Sequence, residues 1–85
     1  MEVEFTIDDA LSYSQKNAYN LSTGYIISTT IFNEYVIVGV VKKEPVKCVN
    51  ELKRICNDNN INDWGMLLKD NELSQKAMFI IKKYQ

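Results

Sequence analysis

A chain of 85 residues and 9.8 kDa is one domain's worth of polypeptide and leaves no room for a second core. Its 46% hydrophobic and 25% charged residues match ordinary folded proteins and exclude disordered, collagen-like or low-complexity structure. Ten basic against eleven acidic side chains leave a net charge of −1, so no global field draws the chain to nucleic acid or anionic lipid, and any such contact has to be local.

Residues 2–7 alternate, with Val3, Phe5 and Ile7 set between Glu2, Glu4 and Thr6, which predicts a short strand with one wet face. Thr6 and Asp9 have the spacing of a capping box, and Ala10, Leu11, Ser14, Ala18 and Leu21 can share one side of a helix running to about Asn20. Gly24 breaks that pattern. Residues 25–32 and 34–42 are β-branched and aromatic and predict a hairpin closed by a tight turn at Asn33. The second arm is apolar on both faces, as expected of a central strand covered by helices.

Residues 46–56 fit two structures. Cys48, Val49, Leu52, Ile55 and Cys56 fall at helical spacing, and Pro45 suits a first helical position. As a strand, the same segment turns Val46, Cys48, Leu52 and Cys56 to the core, with Asn50 and Arg54 as exceptions. Residues 57–62 are a polar loop. Met66, Leu73, Ala77, Ile80, Ile81 and Tyr84 then form a helical stripe that only Asp70 interrupts, predicting one long or broken helix to the C-terminus.

The chemistry available is limited. Histidine is absent, which excludes histidine-based triads and histidine zinc sites. Cys48 and Cys56 stand eight apart, about 12 Å on a helix or about 26 Å on a strand, so they cannot form a disulfide with each other. Two reduced thiols, an acidic start and no apolar run of membrane-spanning length predict a cytoplasmic protein. Nine of the ten basic residues are lysine, and Asn and Ile are equally frequent, as in an AT-rich bacterial or viral genome.

Taken in order, Phe5-Thr6-Ile7-Asp8-Asp9-Ala10, Gly24 ahead of a strand, Val38-Gly39-Val40-Val41 with Pro45-Val46, Asn50-Glu51-Leu52-Lys53-Arg54-Ile55-Cys56, and Asn62 with Leu67-Leu68 resemble one family. It is the Mom-like branch of the GNAT acyltransferases, found in phages and mobile elements. The most specific piece, Glu51 to Cys56, is similar to that branch's fourth strand, just before the cofactor loop. The resemblance implies an α/β class with a small antiparallel sheet of about four strands and helices, a single half domain over residues 1–85. It corresponds to the N-terminal half of the family fold, without strand five and the elements beyond it. On this basis residues 46–56 are expected as a strand paired with residues 35–42. The helical alternative gives a β-α-β-β-α-α domain unrelated to acyltransferases.

The resemblance also implies a cofactor, acetyl-CoA or another acyl-CoA, with backbone groups near Ile55 and Cys56 holding the pantetheine. Asn57, Asn60 and Asn62 would present the loop and a helix N-terminus to the pyrophosphate. Asp58 and Asp63 in that loop oppose a phosphate, and the family's histidines near the end of the first helix are replaced at about Asn17 to Asn20. Binding at millimolar strength or weaker, about −4 kcal/mol or less favourable, is therefore expected. For catalysis the candidates are Glu51 or Asp58 as base and Tyr84 as acid, each weighed against a purely structural role. Arg54 suits a salt bridge ahead of a substrate contact, Trp64 suits the core or a stacking surface, and Lys42, Lys43 and Lys47 suit a solvated turn ahead of a phosphate contact.

Two functional classes are consistent with these residues. One is a small phage or mobile-element protein that works by binding a protein partner. The other is an acyl-CoA-dependent N-acyltransferase completed by oligomerisation or by a partner chain. An exposed sheet edge where strand five would sit predicts self-association as a twofold dimer. Nucleic acid is a weaker third partner, and no membrane is expected.

Overall fold

The computed structural model describes residues 2–17 and 23–85. The elements run β1 (Phe5–Asp9), α1 (Ala10–Asn17), β2 (Tyr25–Ile31), β3 (Glu34–Val41), α2 (Pro45–Asp58), α3 (Trp64–Lys69) and α4 (Asn71–Lys83). The class is α/β, with an antiparallel sheet in the order β1-β2-β3.

The early strand forms, but three residues later than the alternation over residues 2–7 predicts: it begins at Phe5 and continues to Asp9, which pairs with Tyr25. Thr6 is therefore inside the sheet and opens no capping box. Asp9 caps α1 itself, its Oδ1 accepting from Ser12 N at 3.1 Å. Ala10 and Ser14 are buried under α1, whereas Leu11 is exposed and leaves the expected stripe. The expected run of the helix to Asn20, with Ala18 and Leu21, lies outside the described residues.

The hairpin closes at Phe32 and Asn33, whose φ angles of 51° and 66° are those of a type I′ turn. Ile27 faces Gly39 while Ser28 faces Ile37, so Val38 is the extra residue of a bulge. β2, buried along four successive residues, is the central strand. β3 is an edge strand, contrary to its doubly apolar sequence, because the chain after it forms no fourth strand.

Residues 46–56 are helical, and the strand expected there is corrected. Cys48, Val49, Leu52 and Cys56 are all buried at helical spacing, while Asn50 and Arg54 reach solvent, which a strand with the same core set would forbid. Pro45 occupies the first turn, and Glu44, at φ 45°, turns the chain sharply out of the sheet. The sheet accordingly has three strands among the described residues.

The C-terminal stripe breaks at Asp70, whose side chain accepts from Leu73 N at 3.0 Å and starts α4. This break shifts the helical phase. Trp64 and Leu67 are the buried residues of α3, and Met66 is exposed. Trp64 meets Phe5 edge to face, with ring centroids 5.6 Å apart, so it belongs to the core.

Ile27 and Val41 of the sheet share one buried cluster with Leu52 of α2, Leu67 of α3 and Ala77 and Ile81 of α4, with Phe5 and Ile7 packed against it. Ile26 points to the opposite face, where Ala10 of α1 is also fully buried. The layers are thus three helices on one face and one short helix on the other.

Candidate functional site

Two of the residues with catalytic potential meet. Glu51 lies half-buried on α2, and the last residue of α4, Lys83, and its C-cap, Tyr84, come against it. Lys83 Nζ donates to Glu51 Oε1 at 2.7 Å, and the Tyr84 hydroxyl donates to Glu51 Oε2. The Lys83 hydrogen bond, then that of Tyr84, holds the Glu51 carboxyl below the usual carboxylate range. The bond to Glu51 pushes the Tyr84 phenol up to about 12.

Both shifts run against catalysis. A general base near neutral pH needs a raised carboxyl, and a general acid needs a phenol that releases its proton; here the proton is held more firmly and the carboxylate is already satisfied. The Tyr84 carbonyl meanwhile accepts from Lys42 N at 2.9 Å and from Lys43 N at 3.3 Å. Tyr84 therefore joins α2, the end of β3 and the end of α4, which is a structural clasp.

Asp58 lies seven residues after Glu51 on the same helix, about 10 Å away along the axis, so the two carboxylates do not share a site. Ile55 and Cys56 lie on α2, with their carbonyls already used. Ile55 O accepts from Asn59 Nδ2 at 2.8 Å, and Cys56 O accepts from Ile61 N at 2.8 Å. Asn57 is in the last turn of α2, Asn60 takes the left-handed conformation with φ 55°, and Asn62 is exposed. The start of α3 is occupied by its own residue, since Asp63 Oδ1 accepts from Gly65 N at 2.6 Å.

The two cysteines are buried and unpaired, and burial pushes both thiols up, that of Cys48 further under the Glu51 charge. They pack as small hydrophobes. Arg54 is exposed and has no ion pair among the described residues. Lys47 reaches Glu44 only at 3.9 Å, an exposed pair of little consequence.

Besides Phe32 at the hairpin turn and Tyr35 on β3, large apolar side chains are exposed on α4, among residues to which the sequence analysis assigns no role. Met78 and Phe79 are 66% and 71% exposed. Phe79 stands as a ridge between two grooves. One, a shallow hollow of about 500 Å³, runs between α4 and α2 and is lined by Ile55, Ile80 and Gln75 together with Glu72 and Lys76. The other, of about 450 Å³, runs toward β3 and is lined by Val38, Gly39, Gln75 and Ile81. The signal in the sequence is that Met78 and Phe79 fall off the stripe of Leu73, Ala77 and Ile81, placing two large apolar residues on a face that otherwise carries Gln75 and Lys82.

Among the described residues no helix is long and apolar enough to cross a membrane. In comparisons with known proteins, no family model matches the chain, and neither a curated protein nor a solved structure does.

Proposed function

We propose that this domain works by binding a protein partner through the face of α4 around Phe79. The observation that carries the reading is the ridge itself: a large aromatic left exposed between two apolar grooves, on a helix whose other apolar residues are buried in the core or line those grooves. Exposed aromatic anchors flanked by pockets and rimmed by polar side chains have the anatomy of binding hot spots. Glu72, Lys76 and Lys82 supply the rim here.

The acyltransferase reading has weaker support. The segment that would donate strand hydrogen bonds to pantetheine is helical, and Asp63 fills the helix start where a pyrophosphate would sit. Glu51 and Tyr84, the candidate base and acid, are engaged with each other.

Two measurements test the proposal. Immobilised chain should retain a defined polypeptide from cells of the source organism, and Phe79→Asp should lose it while Asn57→Ser keeps it; equal retention by Phe79→Asp contradicts the reading. Calorimetric titration with acetyl-CoA should give no heat at micromolar concentration, and micromolar affinity would restore the enzyme.

A further inference from the structure

We infer that the α4 face binds a second copy of this chain, with the two α4 helices antiparallel about a twofold axis. This rests on the reading of α4 as the binding face and names its occupant. A twofold interface requires one patch to hold both a projection and the hollow that receives it. The α4 face does so: Phe79 projects between two apolar grooves, and Gln75 lines both of them.

Charge fixes the direction. Glu72 lies in the first turn of α4 and Lys82 in its last. Lys82 has no ion pair among the described residues, and Glu72 makes only an exposed contact with Lys76 at 3.5 Å. Antiparallel pairing sets Glu72 of each copy beside Lys82 of the other, while opposing the two helix dipoles. A register that matches residue 72 with residue 82 crosses the axis near Ala77. The same register places Phe79 opposite Gln75 of the second copy, over the grooves that Gln75 lines. One arrangement therefore satisfies both the apolar fit and the charges.

The free edge of β3 is a poorer site for the same partner. Val38 bulges from it, Gln85 Nε2 covers the Val40 carbonyl at 3.2 Å, and Lys42 and Lys43 come directly after it; bulges, covered carbonyls and lysines all discourage strand pairing.

Sedimentation equilibrium across micromolar concentrations tests the inference on the full chain. The native protein should approach twice 9.8 kDa, and Phe79→Asp should remain at 9.8 kDa. Glu72→Lys and Lys82→Glu should each weaken association about tenfold by setting like charges together, and the double exchange Glu72→Lys with Lys82→Glu should recover most of the loss. Circular dichroism on each variant separates weakened association from lost folding. A native monomer throughout the range overturns the dimer and leaves the capture experiment to judge the binding face. A dimer insensitive to Phe79→Asp and to the charge exchanges places the contact elsewhere and overturns it equally.

Discussion

Tyr84 shows how a residue suited to chemistry can be used for structure. Its hydroxyl serves α2 through Glu51, its carbonyl serves the end of β3, and its ring is buried with the core. The protonation states that sustain the clasp define a pH window. The Glu51 carboxyl is lowered on folding, so its stabilisation is complete above the ordinary value of 4.5 and is lost as pH falls through the lower folded value. The Tyr84 phenol is raised, so its stabilisation is complete below 10.0 and is lost as pH climbs through about 12. Thermal unfolding of Glu51→Gln beside the native chain should therefore show a destabilised variant by a constant margin between these limits, and a margin that shrinks in acid. A margin independent of pH down to the strongest acid would mean that the carboxylate charge contributes nothing.

Among the elements, the hairpin and α4 carry the most specific local demands. Phe32 holds a positive φ at the turn while 91% exposed, so its side chain contributes strain and little packing. Phe32→Asn should stabilise the fold by about 1 kcal/mol, measured by urea unfolding, because asparagine tolerates the left-handed region. A Cβ on Gly39 would stand 2.7 Å from Ile81 Cγ2, a branched and buried side chain. Gly39→Ala should cost about 1–3 kcal/mol in the same unfolding measurement by forcing α4 away from β3. Asp70→Ala should cost about 1 kcal/mol by removing the cap between α3 and α4.

Much of this architecture is legible in residues. The alternation from Val3 to Ile7 marks a strand by its periodicity, and the run from Tyr35 to Val41 marks one by its β-branched residues. For residues 46–56 periodicity points to a helix, whereas the motif resemblance points to a strand; the helical phase prevails because it alone buries Cys48, Leu52 and Cys56 while releasing Arg54. The edge position of β3 is not legible locally, since Val36 to Val41 reads the same whether a further strand or a helix comes next. The meeting of Glu51 with Tyr84, 33 residues apart, depends on how α4 lies across α2 and has no sequence signature. Phe79 is legible in principle as an apolar residue out of phase with the α4 stripe.

At the scale of the whole molecule, three helices close one sheet face, and α4 packs against α2, α3 and β3 with its outer face between the groove toward α2 and the groove toward β3. Of the large apolar residues on that helix, Leu73 and Ile81 are buried, Ile80 is partly buried, and Met78 and Phe79 are outside. On the proposal made above, that exposed face of α4 is the contact surface, away from the polar loop at residues 57–62. Amide chemical shifts followed through a dilution series report on it directly. Movement confined to residues 72–82 and the facing Ile55 and Val38 is the expected result; shifts that leave α4 unchanged and move residues 57–62 or 34–37 would contradict it.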